Sequence, residues 1–268
     1  MRVYQQLGQL RQLVEREIVV RHIATYDLYG PRPEEEATAV YREMAKLRID
    51  TAPLKEGPKY HRYVQAKELK EAKGPCKECA DPISVATVIA ENLPIVEVFE
   101  ALYENPFLFV LRGRRIEGIV TKADLQRIPV RILMFGLITL LEMNLREIVR
   151  NQYGEGDWVE ALNKTRMDKA RKLQEERNEQ DTGIGLLECV QLCDLRDIVA
   201  KGPLLHEMFP GLSPIPFEKC LKEIEDYRNN LAHAQALDLS QLLNVFRQLQ
   251  KTLDATDKWL SARLSIHC

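Results

Sequence analysis

The 268-residue chain reads as an α+β N-terminal domain, built from two β-α-β-β-α repeats, followed by an all-α helical bundle. Three observations predict this. Short apolar runs alternate with helical patterns twice over before residue 128, at a period of roughly 50 residues. No convincing strand pattern follows Pro129. Beyond it, apolar residues fall at helical spacing in segments too long for strands. The expected domains are 1–128 and 129–268, and the length suits about two domains.

The first domain opens on a lead-in helix over 1–17, with Leu7, Leu10, Leu13 and Val14 at helical spacing. Ile18-Val19-Val20 reads as a strand and Gly30-Pro31-Arg32-Pro33 as a turn. Glu34 to Leu47 is a helix with acids in its first turn, where they complement the helix dipole. Thr51 to Leu54 and His61 to Val64 are short strands, and Ala66 to Ala72 is a small helix. The order then recurs. Ile83 to Ile89 has strand character, Val96 to Glu104 is helical, and Phe107 to Leu111 is an apolar strand. Arg112 to Arg115 turns the chain into a strand at Ile116 to Val120, and Lys122 to Arg127 begins a helix. In the second domain Val130 to Tyr153 is one long helix closed by Gly154. Trp158 to Asn178, Leu186 to Lys201, Phe217 to His233 and a final helix ending about Leu264 complete a bundle of roughly five helices. Asp238 or Ser240 caps the last.

Composition narrows the function. Hydrophobic residues make up 45% and charged residues 29%, as in soluble globular proteins. The net charge of -2 excludes binding to nucleic acid through a global positive field, so RNA contact needs a local patch. No uninterrupted apolar run reaches 18 residues; the richest, Ile132 to Met143, suits a buried helix, and no membrane partner is expected. The N-terminus lacks the apolar core of a signal peptide, so a cytoplasmic location is expected. The six cysteines are then expected to be reduced. Cys76 and Cys79 with Cys189 and Cys193 offer four thiolates to a zinc ion. Cys189 and Cys193, however, fall on an apolar helix face and read as core, so no metal site is expected.

Two runs carry chemistry. In Gly118-Ile119-Val120-Thr121-Lys122-Ala123-Asp124-Leu125 a hydroxyl and a carboxylate sit three apart at a strand-to-helix turn. Asp124 can accept hydrogen bonds from the vicinal hydroxyls of a ribose, with Thr121 beside it on the sugar or a phosphate. Equally, Thr121 and Asp124 can form a capping box and no more. The run, preceded by Asn105 to Leu111, resembles a CBS (cystathionine-beta-synthase) domain. That resemblance covers roughly residues 15–128. It implies that Thr121 and Asp124, with Val120 and Phe107, hold an adenine nucleotide such as AMP or ATP as a regulatory ligand. The first repeat departs from the pattern: Gln65 stands for Thr and Glu68 for Asp, which puts a ribose site there in doubt and leaves one nucleotide per chain at most. It is also open whether the pair serves only as a dimerisation scaffold.

The second run is Arg228-Asn229-Asn230-Leu231-Ala232-His233. At about 100° per residue, Asn229 and His233 share a helix face with Arg228 one step round. These groups can converge on one phosphate, or they can simply complement the carbonyls and dipole at a helix C-terminus. An all-α bundle carrying R-x4-H with an amide after the Arg is similar to HEPN domains over residues 129–264. The resemblance implies a metal-independent endoribonuclease that works as a homodimer with a composite site, in a defence or toxin role, with RNA and not DNA as substrate. His233, near pKa 6.5 when unperturbed, would be general base or acid. Arg228 would stabilise charge on the phosphoryl oxygens, and Asn229 would orient His233 or the phosphate. Glu142 reads either as a partner for Arg228 or as a boundary residue. Lys164 to Lys172 can hold RNA backbone or form a solvated face. A non-catalytic regulatory or RNA-binding protein is the alternative reading.

Overall fold

A computed structural model describes residues 2–57, 59–154, 156–179, 183–232 and 238–264. Contacts divide the chain into two compact units, residues 16–130 and residues 1–15 with 131–268. The lead-in helix α1 (Arg2–Glu17) therefore belongs, up to Glu15, with the helical unit, where domain 1–128 had been expected to hold it.

The first unit contains β1 (Thr25–Tyr26), α2 (Ala37–Leu47), β2 (Thr51–Pro53), β3 (Arg62–Gln65), α3 (Ala66–Leu69) and β4 (Asp81–Pro82). It continues with β5 (Val88–Ala90), α4 (Ile95–Glu104), β6 (Phe107–Arg112) and β7 (Arg115–Thr121). Two sheets form, in the orders β1-β7-β6-β5 and β2-β3-β4. β5 runs parallel to β6 across the α4 crossover, and β6 and β7 pair as a hairpin. The two repeats interlock, because β1 of the first pairs with β7 of the second. Gly118 permits this: a Cβ there would lie 3.1 Å from the Thr25 carbonyl oxygen and 3.2 Å from the Tyr26 ring.

The expected strand at Ile18-Val19-Val20 is not one. Val20 to His22 is a 3-10 turn, because Val20 and Ile23 are buried and the Val20 amide donates to the Leu93 carbonyl (2.9 Å). Strand pairing moves to Thr25–Tyr26. The helix expected from Glu34 starts at Ala37. Its would-be first turn is spent on outside partners: the Cys76 amide donates to the Glu35 carbonyl (2.8 Å), and the Ala37 amide to that of Gly74 (2.9 Å). The expected strand over Ile83 to Ile89 survives only as Val88–Ala90, after a 3-10 turn at Val85–Thr87. Lys122–Gln126 is likewise a 3-10 turn. One core packs Val40, Met44, Leu54, Val64 and Cys76. Tyr63, Phe107 and Phe109 make edge-to-face contacts at 5.1–5.7 Å between centroids, joining β3 to β6.

The helical unit holds most of α5 (Ile128–Tyr153), then α6 (Lys164–Asn178), α7 (Leu192–Lys201), α8 (Leu204–Met208), α9 (Pro214–Ala232) and α10 (Leu239–Leu264). Pro129 is tolerated because it sits in the first turn, where its missing N–H has no helical partner to lose. Two expected helices are broken by caps. Asn163 accepts from the Arg166 amide (3.0 Å) and starts α6 anew after a 3-10 turn at Asp157–Ala161. Asp194 accepts from the Gln191 amide (2.9 Å) and does the same for α7. Asp238 caps α10, accepting from the Ser240 amide (2.9 Å).

α5 is by length and composition apolar enough to cross a bilayer, with an 18-residue window of mean hydropathy 1.6, half of it buried within the fold. Leu133, Met134, Leu137, Ile138, Leu141 and Leu145 make up its buried face. α1 lies close against α5 at Gly136, where a Cβ would come within 3.1 Å of Val14. α1 is also tied to α10: Arg11 bonds Asp254 (2.7 Å), Asp257 (2.5 Å) and Gln250 (2.8 Å).

Candidate functional site

A cavity of ≈ 440 Å³ opens in the first unit beside the end of β7, within the range of small-molecule sites. Thr121, Asp124 and Phe107 line it, together with Thr25, Arg48, Asp50, Gln65, Ile119 and Lys122. Three of the four residues expected at a nucleotide site are thus brought together. Val120 is not among them: it is fully buried. The two-residue period of a strand puts Ile119 and Thr121 on the cavity face and Val120 on the other. Alternation along β7 could have found Ile119. Thr25, Arg48 and Gln65 come from the first repeat; Gln65 stands at that repeat's counterpart of Thr121, whereas nothing local marks Thr25 and Arg48.

Asp124 is 8% exposed. Its Oδ2 accepts from the Thr121 amide (2.8 Å), one arm of a capping box, and also from the Thr121 hydroxyl (2.8 Å). Its Oδ1 accepts from Arg127 Nη2 (2.8 Å). The capping and cavity-lining roles, alternatives in the sequence, are filled by the same two side chains.

In the helical unit Arg228, on α9, donates to Glu142 of α5 at 3.2 Å. Glu142 also accepts from Arg146 (2.9 Å), whose guanidinium reaches the carbonyl oxygens of Leu187 (3.2 Å) and Val190 (3.3 Å). Asn229 is exposed. Tyr227, beside Arg228 in sequence, is buried and its hydroxyl has no hydrogen-bond partner among the described residues; burial pushes its phenol well above the ordinary range. His233 lies outside the described residues, as does His267. Lys164, Lys169 and Lys172 on α6 are exposed, while Arg166 pairs with Asp194 (2.6 Å).

Among the described residues no group of three or more His, Cys, Asp or Glu is arranged to hold a metal ion. Cys76 packs into the first core, its thiol donating to the Arg32 carbonyl (3.2 Å), and burial pushes its pKa up to about 11. Cys189 is buried and Cys193 half-buried beside Arg166.

No family model and no curated protein matches the chain. Solved structures resemble part of it. A CBS domain pair in complex with 5′-methylthioadenosine and S-adenosyl-L-methionine is 19% identical, covering 41% of this chain and 94% of that one, with a TM-score of 0.37. CBSX2 in complex with AMP is 14% identical over 42% of this chain and 97% of its own, TM-score 0.38. A further CBS domain structure is 18% identical over 40% and 93%, TM-score 0.35.

Proposed function

We propose that the first unit is a CBS-type sensor that binds an adenine nucleotide, AMP or ATP, in the ≈ 440 Å³ cavity, and that this ligand regulates a HEPN-type endoribonuclease in the helical unit. The observation that carries the sensor reading is the convergence of Thr121, Asp124 and Phe107 on one cavity of nucleotide size. Arg48 and Lys122 on the same wall suit a phosphate. Titration calorimetry with AMP and ATP tests it. Wild type binds one nucleotide per chain and Thr121→Val loses most of that affinity. No binding of either nucleotide would sink the reading.

The nuclease reading rests on the resemblance of Arg228 to His233 and on the placement of Arg228. In it, His233 removes the proton from a ribose 2′-hydroxyl, and the 2′-oxygen attacks the adjacent phosphorus. Arg228 meets the charge that grows on the phosphoryl oxygens. The departing 5′-oxygen takes a proton from the partner's His233 in a homodimer. The products are a 2′,3′-cyclic phosphate and a 5′-hydroxyl, and no metal is used. Glu142 holds Arg228 at its working place and positions it, without touching RNA.

The second reading is a non-catalytic regulatory or RNA-binding protein. The observation favouring it is that Arg228 is already engaged by Glu142 at 3.2 Å. RNA retained but never cut would select this alternative.

A further inference from the structure

Arg127 is absent from the cavity wall, yet it joins two residues that form it. Its Nη2 donates to Thr25 Oγ1 (2.6 Å) and to Asp124 Oδ1 (2.8 Å), and its Nη1 to the Ala24 carbonyl (3.4 Å). Thr25 belongs to β1 and Asp124 to the turn after β7, and both line the cavity. The guanidinium thus bridges the interlocked repeats, with its side chain 43% exposed.

This fixes which hydrogen-bonding groups are left for a ligand. A carboxylate has about four acceptor positions. Asp124 gives two on Oδ2 to Thr121 and one on Oδ1 to Arg127, leaving an acceptor on Oδ1. Thr121 spends its hydroxyl proton on Asp124, so its oxygen faces a ligand as an acceptor. Thr25 accepts from Arg127, so its own proton is left to donate. At this corner of the wall, Asp124 and Thr121 therefore each offer an acceptor and Thr25 offers a donor. A vicinal diol, with two protons to give and oxygens to receive one, matches that pattern. A sugar lacking one hydroxyl leaves one of those acceptors without a donor, which is costly in a partly desolvated site.

We propose that Arg127 is a positioning residue that sets this pattern and makes the cavity select ribonucleosides over deoxyribonucleosides. The inference rests on the nucleotide reading of the cavity. Without Arg127 the Asp124 carboxylate keeps only its Oδ2 bonds to Thr121, Oδ1 loses its fixed partner, and the Thr25 hydroxyl is free to rotate, so the hydrogen bond it would donate loses its direction.

The test is equilibrium binding of adenosine and 2′-deoxyadenosine to the full chain, as wild type, Arg127→Gln, Arg127→Lys and Thr25→Val. Both probes are uncharged, so the altered protein charge does not bias the comparison. Wild type prefers adenosine. Arg127→Gln weakens adenosine about tenfold and leaves 2′-deoxyadenosine within about twofold. Lys, which keeps the charge, restores part of the preference, and Thr25→Val reproduces part of the loss. Thr25→Val also serves as the test should Arg127→Gln fail to fold by circular dichroism. Equal weakening of both nucleosides, or no change in either, overturns the role of Arg127 and leaves the nucleotide reading standing. Failure of wild type and every variant to bind either nucleoside overturns both.

Discussion

Replacing Asp124 separates its structural from its ligand-facing work. The carboxylate is 8% exposed and accepts from the Thr121 amide, the Thr121 hydroxyl and Arg127, each at 2.8 Å. Losing the cap costs about 1 kcal/mol. Losing a hydrogen bond between charged partners costs about 1.5–3 kcal/mol. The terms share one side chain and do not add fully, so Asp124→Ala should cost the β6–β7 sheet about 2–4 kcal/mol. Asp124→Asn keeps an oxygen for the Thr121 amide but turns an NH₂ toward Arg127, and should cost about 1–2 kcal/mol by the same reasoning. Native-state amide hydrogen exchange, read on Phe107–Arg112 and Arg115–Thr121, gives the opening free energy of that sheet. The Ala variant must be the more destabilised of the two. An Asn variant within about 0.3 kcal/mol of wild type would refute the claim that Arg127 draws on the charge of Asp124.

Further outcomes follow from the same contacts. Cys76 has its folded pKa raised to about 11, so it stabilises the fold fully below the thiol's ordinary value near 9.0, and that contribution is lost as pH rises through about 11. Urea unfolding at pH 8 and pH 10.5 should show a steeper loss for wild type than for Cys76→Ala; parallel losses would contradict this. Arg11→Met leaves Asp254 and Asp257 without their cation and should cost about 1–2 kcal/mol, between the exposed and buried limits for ion pairs. Fluorescence of Trp158 and Trp259 during urea unfolding reads that loss, and a change under about 0.3 kcal/mol would mean α1 is held by its apolar contacts alone. Glu142→Gln should lower the turnover of RNA about tenfold with little change in KM, against about a hundredfold for Arg228→Ala. Equal activity of Glu142→Gln and wild type would remove Glu142 from the account.

Long-period signals were legible in the sequence. The long helices α5, α9 and α10, the apolar β6 and the hairpin into β7 follow from spacing, and residue choice marks the Asp238 cap. What was not legible depends on partners far along the chain. Ile18-Val19-Val20 has strand propensity, yet the Leu93 carbonyl claims the Val20 amide and the segment turns instead. Thr25–Tyr26 is too short to announce a strand, and its pairing with β7 is what makes the repeats interlock. The same holds at the cavity. Thr121, Asp124 and Phe107 stand in the two runs that carry the resemblance, and Gln65 at the matching place in the first repeat, whereas Thr25 and Arg48 reach the site only through the tertiary fold. Val120 lies off the cavity wall because strand alternation, which a motif match does not carry, turns it to the other face of β7. Glu142 and Arg228, 86 residues apart, meet as one of the two sequence readings had them.

The most direct measurement is cleavage of transfer RNA and total RNA by the purified full chain in EDTA, with AMP or ATP titrated in, beside His233→Ala and Arg228→Ala. The account predicts fragments ending in 2′,3′-cyclic phosphate, lost in both variants, at a rate that changes with nucleotide at concentrations near its Kd. RNA left intact at every nucleotide concentration, or cleavage that survives His233→Ala, would contradict it.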